Sequence, residues 1–299
     1  MSGRIGNIIH RMMRKYLPVG FWVLHVMPLF AQPFINTAGK TIESRFTLPS
    51  GYVRIPMERA SYATYLRNLS LLPHGSQVKY YDGSPKPNNG IYAGVVFIDV
   101  GLEDLQQAPE ICIRLRGEYL FKQQQYNKIS FTISNHKRVS YVNWVEGLKM
   151  IIDGKTYWTK SPTDANRYPT FKRYLEFIFT HGDIETLLDD VQRSSLEHIQ
   201  PGDMFVQIAR PGHVVVVVDV AENAATGDRV FLLAQSYKPA QSLQILVNPN
   251  DANLSPWYSA SAIDDRITTP EFIFYKRDLR RFREIPEVPP KKKTTTFYF

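Results

Sequence analysis

The sequence predicts an α+β fold in which a long helix packs on a mainly antiparallel C-terminal sheet. Helical spacing runs through the middle of the chain, and the last third is a succession of short apolar runs separated by Gly, Pro or Asn. Strands that follow helices, instead of alternating with them, argue against a parallel doubly wound sheet. The 299 residues are 43% hydrophobic and 21% charged, with 17 Phe, 17 Tyr and 4 Trp, enough to bury a large core and too aromatic for a disordered chain.

ERASYATYLRNLSLL (58–72) places Tyr62, Tyr65, Leu66 and Leu69 on one side of a helix. QVKYYDG (77–83) alternates and ends in an Asp82-Gly83 turn signal, SPKPNNG (84–90) reads as a loop, and GVVFIDV (94–100) is an apolar run of strand length. The longest helix lies within 102–123, with Leu105, Ile111, Leu115 and Tyr119 as its stripe and Asp104 as a candidate cap. Pro109 is tolerated only within about the first turn, so this helix is expected to begin close to Ala108. KISFTIS (128–134) alternates as a half-buried strand, and 171–181 and 183–194 read as two helices divided at Gly182. Strands are expected over 203–209, 213–221, 229–237, 242–248 and 271–277. If the second and third of these pair across ENAATGD (222–228), His213 and Gln235 approach each other near one edge of the sheet, in a register the sequence leaves open.

The formal charge is +8, which invites a nucleic-acid reading, but its placement opposes one. Residues 1–31 hold Arg4, Arg11, Arg14 and Lys15 and no acid, and 276–299 hold eight basic residues against Asp278, Glu284 and Glu287. The remainder is near neutral, so no basic groove for phosphates is expected and nucleic acid is excluded as a partner.

The N-terminal charges precede LPVGFWVLHVMPLFA (17–31), the three-part pattern of an export signal cleaved after Ala31. A single-pass anchor is the competing reading. The run falls short of the roughly 18–20 apolar residues of a span and is broken by Pro18, His25 and Pro28. The expected organisation is a signal peptide (1–31), a polar mature leader (32–44), one α+β domain (45–283) and a flexible basic tail (284–299), placed in the periplasm or outside the cell. After cleavage no transmembrane span remains. Cys112 is the lone cysteine, so no internal disulfide forms, and the sequence holds no zinc-spaced Cys/His cluster, P-loop or dinucleotide-type glycine string. No metal and no cofactor is expected.

Three segments stand out as carriers of chemistry: Pro201-Gly202-Asp203 opening a strand, PGHVVVVVD (211–219) with His213 at its head, and FLLAQSYKPAQ (231–241), where Gln235 interrupts a buried run. A His facing a polar orienting group is half of a nucleophile–base–orienter set, and a helix N-terminus is the preferred place for the thiol. This order resembles the papain-like peptidases of the NlpC type. The resemblance implies a papain-like core, with the long helix beginning against the edge of the sheet that carries the imidazole. It makes His213 the base, Gln235 the orienter and Cys112 the available thiol, with Gln107, Ala108, Asp203, Trp257 and Tyr258 as candidate binding residues.

Over 45–283 the chain also resembles a bacterial exported family known only as a domain of unknown function. The strings that carry this resemblance are DVGLEDLQQ (99–107), RLRGEYL (114–120), GDMFVQ (202–207), PGH (211–213), LLAQSYKPAQ (232–241), SPWY (255–258) and TPEF (269–272). Members typically carry a Cys where this chain has Ala108. Cys112 lies one turn further along, roughly 5–6 Å away, and near-attack geometry does not tolerate such an offset.

The expected function is therefore an exported cell-envelope protein with a hydrolase-type core, catalytically degenerate, binding a peptide or peptidoglycan-like ligand. The alternative is a non-catalytic binding or structural module of the envelope. A serine nucleophile, Ser236 or Ser255, is more remote because neither sits in a strand–turn–helix elbow. The plain structural readings stand beside these: His213 and Gln235 satisfying buried groups, Cys112 packing in the core, Asp203 serving a turn, Trp257 and Tyr258 capping a core, Arg114 and Arg116 ion-paired or solvated.

Overall fold

Val214–Val218 are all fully buried. Successive strand residues point to opposite faces, so a run of five buried valines demands cover on both sides of the sheet. The fold supplies it with two apolar cores. One contains Val214, Val216 and Val218 with the helices; the other contains Val215 and Val217 with Phe205, Phe231, Tyr258 and Phe274. The computed structural model describes residues 34–87, 90–153, 155–209 and 212–284, all within one compact unit. The expected signal peptide and all but the first residue of the expected tail lie outside the described residues.

Six α-helices are found among the described residues: α1 (Ile42–Arg45), α2 (Tyr62–Arg67), α3 (Ala108–Lys122), α4 (Tyr141–Val145), α5 (Tyr168–His181) and α6 (Ile184–Asp190). The strands are β1 (Tyr52–Arg54), β2 (Tyr92–Val95), β3 (Ser130–Ile133), β4 (Lys137–Ser140), β5 (Leu148–Ile152), β6 (Thr156–Lys160), β7 (Val191–Arg193), β8 (Met204–Gln207), β9 (His213–Asn223), β10 (Arg229–Gln235), β11 (Gln244–Leu246), β12 (Tyr258–Ser259), β13 (Arg266–Thr268), β14 (Ile273–Tyr275) and β15 (Leu279–Phe282). The main sheet runs β2-β11-β10-β9-β8-β15-β7, with β1 joined to β9 and β12 to β10. Every pair in it is antiparallel. Three two-stranded sheets, β3-β4, β5-β6 and β13-β14, lie outside it.

The fold class is thus α+β, as the sequence predicts, with differences in detail that have local causes. Helix α3 begins at Ala108 with Pro109 in its first turn, and its cap is Gln107, whose N–H donates to Glu110 Oε2 at 3.1 Å. Gly117 lets α5 come close: a Cβ there would lie 3.2 Å from the Phe171 ring. Helix α2 is much shorter than the expected 58–72. Ser61 caps it, and beyond Asn68 the chain turns extended because Ser70 and Leu71 bridge to Thr41 and Val96. Of the expected 77–83 strand only isolated bridges form, Lys79 to Pro85 and Tyr80 to Gln241, and the Asp82-Gly83 turn after them is closed by Gly83 N–H on the Tyr80 carbonyl. The expected 94–100 strand is regular only as β2. Residues 34–44, expected as a leader, belong to the fold: Ile35 bridges to Phe46, and Ile42 and Phe46 are fully buried. No helix among the described residues is long and apolar enough to cross a membrane.

Candidate functional site

His213 opens β9 and Gln235 closes β10, and the hairpin brings them together: His213 Nε2 lies 2.9 Å from Gln235 Oε1. The Gln235 amide nitrogen donates to Glu271 Oε2 at 2.5 Å, and Glu271 also accepts from Lys86 Nζ at 3.2 Å. A carboxylate only accepts, so the amide oxygen must face the imidazole and the proton must sit on Nε2. Nδ1 is then a bare acceptor, buried and without a hydrogen-bond partner among the described residues. Burial lowers the pKa of this ring to about 4, aided by the Lys86 charge and opposed by the Gln235 hydrogen bond, so the imidazole is neutral near pH 7. Phe272 stacks on it at 3.9 Å between centroids and Tyr237 meets it edge-on at 5.0 Å.

This ring packs against the second core through Phe272 and Phe274, on the strand face that also carries Val215 and Val217. Ala108 and Cys112 belong to the first, with Val214 and Val216. The sheet therefore separates the imidazole from α3, and the NlpC-type expectation, which needs them on one side, does not match this geometry. The lead-in to α3 does reach the end of β10: Ser236 Oγ lies 3.2 Å from the Gln106 carbonyl, and Asp104 Oδ1 accepts from Ala240 N–H at 2.5 Å. Cys112 is buried, its Sγ 3.7 Å from the Ala108 carbonyl, and burial together with the nearby Glu110 carboxyl pushes its thiol pKa well up. It packs as a small hydrophobe. Ser236 is fully buried and committed to two carbonyls, Gln106 and Gln241.

The remaining expected residues have structural partners. Asp203 accepts from Arg281 Nε at 2.6 Å and from Gln200 N–H at 3.1 Å, and it is fully buried. Trp257 is in the core with its indole N–H on the Thr47 carbonyl. Tyr258 donates to the Val247 carbonyl and borders a cavity of about 350 Å³ with Asn250 and Arg266. Gln107 donates to Asp104 and sits at the head of α3. None of them borders the His213–Gln235 pair.

A cleft among the described residues lies elsewhere. It encloses about 590 Å³ and is lined by Tyr65 from α2, Lys79, Tyr80 and Tyr81 from the 79–83 turn, Phe97, Asp99 and Gly101 after β2, Arg114 and Glu118 from α3, and Tyr168 from α5. Arg114 is the pivot, only 2% exposed. Its Nε pairs with Glu118 at 2.6 Å and its terminal nitrogens with Asp99 at 2.9 Å and Gln106 at 2.8 Å. Burial opposes the charge of Asp99, but Lys172 and Arg114 together hold its pKa down, to about 2. Tyr168 donates to Glu118 at 2.7 Å and packs edge-on to Phe121, while Tyr65 packs against Tyr62 and Tyr119. A second cavity of about 450 Å³ shares Asp99, Val100, Gly101 and Arg114 with the first.

In the sequence Arg114 reads as ion-paired or solvated, Tyr65 as part of a helix stripe and Tyr80 and Tyr81 as part of an alternating run. The signal available was that two of the family-like strings, DVG (99–101) and RLRGEYL (114–120), both contribute walls to this cleft. The family model described as domain of unknown function (4846) matches residues 42–281, and the chain belongs to that family. No curated protein and no solved structure matches the chain.

Proposed function

We propose that the protein is an exported, non-catalytic binding module of the cell envelope, and that its ligand, peptide or peptidoglycan-like, sits in the cleft floored by Arg114. The observation that carries this reading is the contrast between the two places. Cys112, the expected thiol, is buried in the first core, across the sheet from the imidazole of His213, whereas the cleft combines aromatic walls, a rigid charged floor and a volume typical of ligand sites, roughly 300–1,000 Å³.

The cleft is also built from elements that do not depend on one another locally. Its walls come from α2, the 79–83 turn, the segment after β2, α3 and α5, and one buried guanidinium joins the last three. Such pre-organisation favours binding because little side-chain freedom is lost when a ligand arrives.

The test is co-sedimentation of the mature protein with purified peptidoglycan, alongside an assay for released amide-cleavage products. Binding that falls on replacing Tyr80 and Tyr81 with alanine, with no cleavage, is the expected result. Cleavage that His213→Ala abolishes would overturn it in favour of a hydrolase. For export, N-terminal sequencing of the protein recovered from its native cell should start at Gln32; an intact Met1 would argue for the anchor.

A further inference from the structure

We infer that the occupant of the Arg114 cleft is an uncharged oligosaccharide, bound by aromatic stacking and side-chain hydrogen bonds; this rests on the cleft being the binding site.

Several backbone donors around the cleft are already committed within the fold. Leu72 N–H donates to Val95, Tyr80 N–H to Ser84, Tyr81 N–H to Ala240, Gly83 N–H to Tyr80, Val96 N–H to Leu243 and Phe97 N–H to Ser70. One recurring way to read a peptide is to add it as a strand to a free sheet edge, and these donors are already taken. Recognition therefore falls to side chains.

The side chains suit a sugar ring. A pyranose presents flat C–H faces and a rim of hydroxyls, and a tyrosine complements both parts with an apolar face and a polar tip. Tyr65, Tyr80, Tyr81 and Tyr168 supply four such rings. The hydroxyls of Tyr65, Tyr80 and Tyr81 make no hydrogen bond to another described side chain, whereas that of Tyr168 is fixed on Glu118. Phe97 stands at the rim, 72% exposed. The charges oppose an ionic ligand. Arg114 and Lys79 face Asp99 and Glu118, so the lining is balanced and neither a phosphate nor a polycation gains from entering. The Asp99 carboxylate, 60% exposed at its side chain and held charged by Arg114 and Lys172, remains able to accept from vicinal hydroxyls at the mouth.

The experiment is calorimetric titration of the mature chain with the N-acetylglucosamine tetramer and with tri-alanine, using wild type, Tyr81→Ala and Tyr81→Phe. The tetramer is expected to bind, with affinity falling about tenfold in Tyr81→Ala, the scale of one lost aromatic contact. Tyr81→Phe should retain most of it, losing only the hydroxyl contact. Tri-alanine should not bind. Tri-alanine binding that Tyr81→Ala weakens would sink the sugar while leaving the cleft as the site. Binding of neither probe would sink both readings, and tetramer binding indifferent to Tyr81→Ala would place the sugar elsewhere. Urea midpoints of the two variants equal to wild type exclude a folding defect as the cause.

Discussion

Cys112 and His213 show how burial decides what a reactive side chain can do. With its thiol pKa pushed up and its surroundings apolar, Cys112 should not react with a disulfide reagent at pH 7.5 until the protein unfolds. The measurement is labelling in buffer and in urea; rapid labelling of the native state would restore the thiol as a candidate nucleophile. His213 makes a prediction about pH. Its folded pKa, about 4, lies below the ordinary 6.5, so between those values the unfolded chain binds the proton and the folded chain does not. Stability from this residue is therefore complete above pH 6.5 and is lost as the pH falls toward 4, by up to about 3 kcal/mol. His213→Phe keeps a ring against Phe272 but cannot titrate. Urea unfolding at pH 7.5 and 5 should show a smaller drop in the variant than in wild type; equal drops would mean that the imidazole is not the responsible group.

Helix α3 ties the cleft to the core, and its first turn contains a buried acid. Glu110 accepts from Gln107 N–H, and burial raises its pKa to about 8. The unfolded carboxyl ionises from about 4.5 upward, so stability falls as the pH rises through the window between the two values. Glu110→Gln retains an acceptor for the cap and removes the ionisation. At pH 8.5 it is expected to be more stable than wild type by roughly 2 kcal/mol, with little difference at pH 4, a comparison open to urea denaturation. A variant less stable at pH 8.5 but not at pH 4 would show that the carboxyl contributes as an ion. The start of this helix was legible in the sequence, because Pro109 admits few positions. Its face was not. A run such as Val214–Val218 is apolar at every residue, so no alternation says which side of β9 the helix covers, and the side that holds His213 follows only from the folded packing. The short strands β1, β7, β12, β13 and β15, two to four residues each, are too brief to show a period of two, and pairing partners distant in sequence define them.

Across the whole chain, the least legible feature was how the N-terminal residues join the sheet. Asp219, fully buried on β9, accepts from Arg54 Nε of β1 and Arg67 Nε of α2, each at 2.7 Å. Arg54 also donates to the carbonyls of Glu43 and Phe46, and Arg67 to those of Ile55 and Val220. One carboxylate thereby links α1, β1 and α2 to the central strand, across more than 150 residues of sequence. In the sequence, Asp219 is only a polar residue ending a valine run, and nothing local names two arginines as its partners. Asp219→Asn leaves both guanidiniums facing a neutral amide, and breaking a buried pair in this way typically costs about 3–5 kcal/mol. If the N-terminal residues and the sheet form one cooperative body, urea unfolding of the variant should remain a single transition displaced to lower denaturant, with probes at Trp257 and in the cleft moving together. The cleft should lose its ligand at the same denaturant concentration, because Tyr65 reaches it from α2. Two separated transitions, the later one at the wild-type midpoint, would show instead that α1 to α2 form a dispensable outer layer, and the cleft would then have to be rebuilt from α3 and α5 alone.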